Sequence, residues 1–358
     1  MQTRAVIHIK LDALFIDVET AGRPSLAGRP VVVGGSGDAA ARGVVSAVSG
    51  EARSAGVRPG MELRAARKLC PGAEFLPVDL AACEAASGRF MEILGGYGPL
   101  VESFGLDEAF VEVKVAGGGG GEENFDSAVA IAREIKARVK RDLGLGASLG
   151  VGPNKLLALL ASGMKGPGGG GGGGGFFVIR AGEAAGVLRD LPVGRLPGVG
   201  PGTAARLREL GAPTIGELAR IPYLHLERNF GPDRARTLFD QARGIDTSPV
   251  VPFLESGFVG REATFDRPAG DAYIIKETLF ALSEDVTARL KAGGLRAGTV
   301  AIKVGFRDLK TITKSMDLAS VTDSMNDIWG AASRLLEGTD LTGRITLVGV
   351  KAGGLEGR

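Results

Sequence analysis

The chain opens with an alternation of apolar and polar residues. In AVIHIKLDALF (residues 5–15) nearly every second position is apolar. A period of two residues is typical of a β-strand with one face in the core, so the pattern predicts a half-buried strand. The face predicted to meet the core carries Ile7, Ile9 and Leu11, and the opposite face carries Val6, His8, Lys10 and Asp12.

The next 150 residues alternate between strand and helix patterns. The predicted elements are a strand at 29–35, helical segments within 44–72 that Gly56, Pro59 and Pro71 interrupt, a helix at 80–98, a strand–turn–strand at 101–115, a helix at 124–144, a strand at 147–152 and a helix at 153–164. Helices placed between strands in this order predict an α+β sheet domain with its helices on one face.

From about Gly182 the pattern changes to short helices joined by glycine turns, which predicts a small all-α domain. A proline-rich stretch poor in helix formers, residues 245–253, is predicted to be a linker. Beyond it the pattern predicts a strand–helix–strand–strand–helix–strand domain.

Composition narrows the classes of protein that remain. The 43 basic and 41 acidic residues give a formal charge of +2, which disfavours a histone-like protein. With two histidines and two cysteines, a His-ligated catalytic metal, a zinc module or a disulfide scaffold is not expected. No segment has the length of a membrane span, and we expect a cytoplasmic protein.

Glycine is over-represented, with 58 of 358 residues, and part of the excess lies in two homopolymer tracts at 117–121 and 168–175. Such tracts cannot offset their ordering entropy by packing side chains, so mobile loops without side-chain chemistry are predicted there.

The strongest candidate site is LDEAF (106–110), in a turn between two apolar strands. Adjacent Asp107 and Glu108 direct two carboxylates at one small volume, where they repel each other unless a cation lies between them. Mg²⁺ binds through one or two carboxylates plus substrate phosphates, so a metal site is one interpretation. A solvated acidic turn is the other.

Basic residues near turns provide further candidates. In LPGVGPGTAARLRELG (196–211), Gly198 and Gly200 allow a tight turn into a helix whose free amides can hold a phosphate, and Arg206 follows on that helix. This pattern is typical of a helix–hairpin–helix grip on the DNA backbone, although an ordinary helical hairpin has the same glycines. Residues 233–244 are a weaker second copy.

Two more segments carry arginine and lysine. FRDLKTITKS (306–315) places Arg307, Lys310 and Lys314 along a hairpin. One interpretation is that they contact phosphate, and the other is that their charges keep a solvated edge strand from pairing with another chain. Arg53 is predicted at the start of a helix. It is either a residue that binds a triphosphate or an ordinary surface residue.

In this order the segments resemble the Y-family translesion DNA polymerases of the bacterial DNA polymerase IV type, over essentially the whole chain. The segments that carry the resemblance are HIKLDALFIDVE, GRPVVVGG with GEARSAGVRPGM, GLDEAF, LGASLGVGPNKLLALLASGM, LPVGRLPGVGPGTAARLRELG and GREATF onward. The resemblance implies a right-hand polymerase with a palm (1–13 and 80–180), fingers (14–79), a helix–hairpin–helix thumb (181–243), a linker (244–254) and an α/β little finger (255–358).

The resemblance also implies roles for individual residues. Asp107 and Glu108 would be two of three metal carboxylates, and the backbone carbonyl of Leu11 would complete one Mg²⁺ site. Phe15 would be the steric gate against a ribose 2′-hydroxyl. The incoming triphosphate would be met by Arg53, with Lys165 near the usual lysine position.

The chain departs from the family pattern at three positions. Lys10 stands where the family has its first metal carboxylate, Gly50 where a triphosphate-contacting tyrosine is usual, and Gly166 at the usual triphosphate lysine. An ammonium beside Asp107 and Glu108 neutralises the pair without activating a 3′-hydroxyl. We therefore predict an ion pair of Lys10 with one of them, and impaired catalysis; Asp12, further along the strand, is a weak substitute ligand.

The expected activity is template-directed nucleotide addition opposite damaged DNA, with primer–template DNA and a deoxynucleoside triphosphate as partners. A sliding clamp is a further expected partner, through a tail that this sequence lacks. One alternative is a non-catalytic DNA-binding paralogue that acts as a scaffold in repair. A helix–hairpin–helix nuclease is weaker, since no second acidic cluster accompanies LDEAF.

Overall fold

The computed structural model describes residues 4–40, 43–98, 100–113, 121–164, 175–251, 258–307, 310–341 and 344–357. They belong to two units, one made of residues 1–33, 46–59 and 72–252 and the other of 34–45, 60–71 and 253–358. Lys165, Gly166 and nearly all of both glycine tracts lie outside the described residues.

The described secondary structure alternates between strands and helices along most of the chain. The strands are β1 (Ala5–Leu11), β2 (Val31–Val33), β3 (Ala47–Val48), β4 (Glu74–Leu76), β5 (Val101–Ser103), β6 (Glu108–Val113), β7 (Ala147–Gly152), β8 (Phe176–Val178), β9 (Phe258–Ala269), β10 (Leu295–Phe306), β11 (Thr311–Thr322) and β12 (Ile345–Gly357). The helices are α1 (Leu14–Thr20), α2 (Gly50–Ser54), α3 (Leu63–Leu69), α4 (Leu80–Gly95), α5 (Gly121–Leu143), α6 (Lys155–Ser162), α7 (Ala184–Arg189), α8 (Pro201–Glu209), α9 (Ile215–Leu218), α10 (Tyr223–Phe230), α11 (Pro232–Gln241), α12 (Ala272–Ala292) and α13 (Met325–Glu337).

The first unit is built on a five-stranded sheet with β1 at its centre, in the order β5-β6-β1-β7-β8. One face carries the predicted apolar set Ile7, Ile9 and Leu11, which packs against α4 and α5 in a core that includes Phe90 and Ile135. Because these side chains are all within 1 % of full burial, the predicted inward face of β1 is confirmed.

The opposite face of the sheet is also covered, by α6. Val6 packs there with Phe110 and Ala158, and a Cβ atom added to Gly150 of β7 would lie 2.1 Å from the Ala158 carbonyl oxygen. The prediction of helices on one face only was therefore wrong. Strand β1 is buried on both faces except at Lys10, because glycines in β7 let the α6 backbone approach the sheet.

A small sheet, β3-β2-β4, follows β1 in the chain, and its apolar residues pack with α1. As predicted, proline and glycine interrupt the helical segments: α2 ends at Ser54 and α3 at Leu69, before Gly56 and Pro71. Arg53 lies in the last turn of α2, not at its start, because the helix begins at Gly50 after the Ser49 cap.

Helices α7 to α11 form the predicted all-α region, and its core includes Leu156, Leu157 and Leu160 of α6. The leucines Leu207, Leu218, Leu226 and Leu238 are fully buried in it. Short helices of this kind are stabilised mainly by packing of their apolar faces rather than by intrinsic propensity.

The described part of the predicted linker, up to Val251, is tied to the first unit. Asp246 accepts a hydrogen bond from the Leu156 amide at the start of α6 (2.9 Å). Glu102 accepts one from the Val251 amide (2.8 Å) and forms an ion pair with Lys155 (2.6 Å). The segment is therefore held at two points, by the bond of Asp246 to α6 and by the bond of the Val251 amide to Glu102.

The second unit contains an antiparallel sheet in the order β11-β10-β12-β9, with α12 and α13 packed on one face. The predicted strand–helix–strand–strand–helix–strand order is confirmed. Among the described helices of either unit, none combines the length and apolar character that a bilayer crossing requires.

Candidate active site

The two carboxylates of LDEAF lie where β6 begins, beside the end of β1. The Phe104 amide donates to the Glu108 carbonyl (2.8 Å) and closes the turn, and the Leu11 amide donates to the Asp107 carbonyl (2.7 Å). The antiparallel register places Lys10 directly opposite Glu108. Adjacent strands thus bring Lys10, Leu11, Asp107 and Glu108 together, although 96 residues separate Leu11 from Asp107.

Lys10 forms the ion pair that the sequence predicts. Its Nζ contacts Glu108 Oε1 and lies 3.8 Å from Asp107 Oδ2. The exposed fraction of the side chain is 46 % for Lys10 but 16 % for Glu108, so the ammonium covers the more buried carboxylate. Burial raises the pKa of the Asp107 carboxyl, Lys10 opposes that rise, and the neighbouring Glu108 adds to it.

These donors do not fit a divalent cation well. Within the described residues, no three His, Cys, Asp or Glu side chains converge on a point where they would hold a metal ion. The carboxylate oxygens that would bind Mg²⁺ face an ammonium, which occupies the same charge-neutralising position. The Leu11 carbonyl and the two acids therefore form an incomplete ligand set.

Asp12 does not complete that set. Its Oδ1 accepts a hydrogen bond from the Ser148 hydroxyl on β7 (2.5 Å), and its amide donates to the Gly146 carbonyl (2.9 Å). Its other oxygen, Oδ2, is buried and has no hydrogen-bond partner in the described part of the chain. Asp12 is thus fixed to the β7 side of β1, while Asp107 and Glu108 lie on the β6 side.

The residues expected around a nucleotide are placed separately. Phe15 is half-buried in the first turn of α1 and packs with Val31, Val33 and Leu76. The Arg53 side chain is exposed, and its carbonyl accepts a hydrogen bond from Arg58. The structure gives no contact between either of these two residues and the carboxylates. Lys165 lies outside the described residues.

The hairpin before α8 has the geometry that the glycines predict. Gly198 has a φ of +75°, in the left-handed region where a side chain is strained, and Gly200 caps α8 with extended backbone. The amides of Gly198 and Gly200 have no acceptor among the described residues, so they are available to an anion. Arg206 turns away, with its guanidinium over the Phe230 ring at 5.7 Å and a 3.4 Å contact to Asn229.

The predicted hairpin of the second unit is confirmed, with β10 and β11 antiparallel. Arg307 and Lys310 are exposed at its turn. Lys314 pairs with Ile302 on the face that packs against the helices, and its ammonium donates to the Gly338 carbonyl at the end of α13. It therefore caps a helix and does not extend the basic turn.

On the other face of that sheet lies a cation that sequence reasoning missed. Lys303 pairs with Thr313 and forms an ion pair with Glu262 (3.0 Å). The signal was available, because Lys303 is the charged position in the strand TVAIKVGF.

Comparison with known proteins identifies the family. The signature of the impB/mucB/samB family matches residues 9–163, that of its C-terminal domain residues 258–358, and that of the DNA polymerase-iota thumb domain residues 194–246. The chain is 39 % identical to the DNA polymerase IV of Alkalilimnicola ehrlichii over 99 % of its length and 96 % of the relative's. It is 37 % identical to that of Methanoculleus marisnigri, over 99 % and 95 %.

Solved structures agree. A Y-family DNA polymerase chimera of Dbh and Dpo4 superposes with a TM-score of 0.82 at 26 % identity, covering 99 % of this chain and all of the other. An insertion ternary complex of Dbh DNA polymerase gives a TM-score of 0.72 at 26 % identity with the same coverage. The right-hand polymerase fold class predicted from the sequence is thereby confirmed. The chain belongs to the Y family of DNA polymerases, with the members named DNA polymerase IV among its relatives, and is of the DNA-directed DNA polymerase class.

Proposed function

We propose that this polymerase binds primer–template DNA and a deoxynucleoside triphosphate, adds nucleotides opposite damaged template, and does so slowly because of Lys10. Polymerases of this family depend on divalent metal in general, and Mg²⁺ is the proposed ion. Asp107, Glu108 and the Leu11 carbonyl would hold it only weakly while Lys10 contacts the two acids. DNA and nucleotide are supported as partners by the ternary complexes among the structural relatives.

The contact of Lys10 with both carboxylates carries the proposal of impaired catalysis. A lysine at this position supplies a permanent charge that holds the two acids together in the absence of metal. It has no lone pair to offer a cation while it is protonated, so it cannot act as the missing ligand. The fold is maintained, and the chemistry that depends on metal is weakened.

We assign the remaining roles by position. Phe15 is the proposed steric gate, and Arg53 and Lys165 are proposed to bind the triphosphate. The DNA backbone is proposed to meet the amides of Gly198 and Gly200, then Arg206, Arg307 and Lys310. Lys314 is not proposed as a DNA contact, because its ammonium donates to the Gly338 carbonyl at the end of α13.

The domain limits proposed are those given by the resemblance, with fingers at 14–79, thumb at 181–243 and little finger at 255–358. We also propose that the protein binds a sliding clamp and that it is located in the cytoplasm. Neither depends on the residues of the site.

Primer extension combined with filter binding tests the proposed function. Sequence-independent binding to two unrelated duplexes, weakening by orders of magnitude between low and moderate salt, is expected from several phosphate contacts. Extension should be detectable but slow. Binding with no extension at any Mg²⁺ concentration would identify a scaffold instead, and a flat salt dependence would contradict the phosphate contacts.

A further inference from the structure

Arg234 contacts the thumb hairpin from a distant part of the chain. It lies in the first turn of α11, and its Nη2 donates a 2.5 Å hydrogen bond to the Gly198 carbonyl. This is its one hydrogen bond to the described part of the protein. The residue is half-buried, and this hydrogen bond lies at the exposed surface beside the hairpin.

The guanidinium also packs on the backbone of Gly198. A Cβ atom added there would lie 3.1 Å from Nη1 and 3.5 Å from Nη2 of Arg234. Glycine at this position therefore serves two needs, the left-handed φ and the close approach of the arginine.

The far end of α11 holds the preceding peptide group. Gln241 Nε2 donates to the Pro197 carbonyl at 3.5 Å. In a trans peptide the carbonyl and the following N–H point in opposite directions, so drawing the Pro197 carbonyl toward α11 turns the Gly198 amide away from it. Gln241 thus holds the peptide that carries the Gly198 amide, and Arg234 holds the next peptide, whose Val199 amide donates to the Leu196 carbonyl.

We propose that Arg234 is a positioning residue for the DNA grip of the thumb. It holds the Gly198 carbonyl and packs on the Gly198 backbone, and it places a permanent positive charge beside the hairpin that would meet a DNA phosphate. The inference rests on the proposed function. It goes beyond it by adding Arg234 beside the hairpin, while the guanidinium of Arg206 lies over the Phe230 ring.

The chain supplies a matched control on the same helix. Arg236 is two residues further on and has its guanidinium over the Tyr223 ring at 5.1 Å. Arg236→Gln removes the same charge from α11 without touching the hairpin, so it measures the effect of net charge alone.

The experiment is fluorescence anisotropy of a labelled duplex titrated with each variant between 50 and 200 mM salt, with thermal melts to verify folding. Arg234→Gln should weaken binding about tenfold and lower the slope of log affinity against log salt by about one. Arg236→Gln should change affinity less than about twofold. Arg234→Lys should recover the slope but not the full affinity, because it lacks the planar guanidinium.

The outcomes separate two failures. If the unmodified chain binds DNA but Arg234→Gln matches Arg236→Gln, the role of Arg234 is overturned. If the unmodified chain does not bind duplex DNA, the proposed function itself is overturned. If Arg234→Gln lowers the melting temperature of the protein, the affinity of Arg234→Lys separates a folding defect from a positioning role. Full recovery of DNA affinity by Arg234→Lys contradicts the positioning role, and partial recovery supports it.

Discussion

Replacing Lys10 with aspartate should restore metal-dependent nucleotide addition. The substitution removes the ammonium that contacts Glu108 and approaches Asp107, and it supplies a carboxylate at the same point of β1. The register of β1 with β6 is set by the backbone, so the new carboxylate is expected opposite Glu108 without rearrangement of the sheet.

The expected gain follows from the charges. Two unit charges about 4 Å apart interact by about 4 kcal/mol at an effective dielectric near 20, so a divalent ion there is repelled by about twice as much. The Lys10 side chain is 46 % exposed, and solvent screening reduces the repulsion to roughly 2 to 4 kcal/mol. At about 1.4 kcal/mol per factor of ten, relief of the repulsion alone raises metal affinity roughly 30- to 1,000-fold. The added ligand raises it further.

Two further variants divide the effect into its parts. Lys10→Ala removes the repulsion but adds no ligand, so its rate of primer extension should lie between those of the unmodified chain and Lys10→Asp. Lys10→Arg keeps the charge and should gain nothing. Single-nucleotide primer extension over a series of Mg²⁺ concentrations measures all four proteins, with filter binding to verify equal loading on DNA.

A readout without catalysis comes from stability. With metal removed by EDTA, three carboxylates at one point repel each other, so Lys10→Asp should melt at a lower temperature than the unmodified chain and regain stability when Mg²⁺ is added. If the unmodified chain extends primers as fast as Lys10→Asp, or if Mg²⁺ does not stabilise Lys10→Asp, this account of the site is refuted.

The remaining predictions concern the gate and one buried histidine. Phe15→Ala, made together with Lys10→Asp, should increase incorporation of ribonucleotides relative to deoxyribonucleotides because the ring no longer excludes the 2′-hydroxyl; an unchanged ratio would show that Phe15 is not the gate. Burial, with Lys10 adding to it, lowers the pKa of His8 to about 3 from 6.5. As pH falls below 6.5, His8 therefore binds a proton in the unfolded chain but not in the folded chain. The free energy of unfolding should decrease by about 2 kcal/mol between pH 7.5 and 5. Urea unfolding of His8→Gln should show a weaker pH dependence than the parent, whereas His225→Gln, at an exposed position, should show the same dependence as the parent.

The contact made by His8 explains why it stays neutral. The Ser162 hydroxyl donates to the Leu159 carbonyl (2.8 Å), so Nδ1 of His8 donates to the Ser162 oxygen (2.7 Å). The other ring nitrogen, Nε2, is buried without a hydrogen-bond partner in the described residues, and the ring packs on Phe110. A second proton on this ring would have no acceptor.

Sequence reasoning predicted those features that depend on local pattern. The strand β7 was predicted with its observed bounds, and the pairing of Lys10 with the acidic turn followed from the resemblance together with elementary electrostatics. The bounds of β7 follow from the residues next to it in the chain. The ion pair of Lys10 follows from its position in a known motif.

The features that it missed depend on contacts between distant residues. The second covered face of the sheet arises where glycines of β7 meet α6, and a period-two pattern cannot reveal which faces are covered. Arg234 meets Gly198 across 36 residues. Lys314 was assigned to a basic hairpin because its partner, the Gly338 carbonyl, belongs to an element that follows later in the chain.

The close packing of α6 on β7 also limits how this site can evolve. A Cβ atom on Gly150 or Gly152 would lie within 2.6 Å of α6 backbone atoms, so neither position accepts even an alanine without displacing the helix. A shift of β7 by one residue would drive Leu149 or Val151 into the same space, which holds β7, and β1 beside it, in a single register. Mutation can therefore exchange the Lys10 side chain at the end of β1 but cannot move the backbone of the strand. Under the proposed role of Lys10, exchange of this one side chain changes the charge beside Asp107 and Glu108 and leaves the scaffold intact.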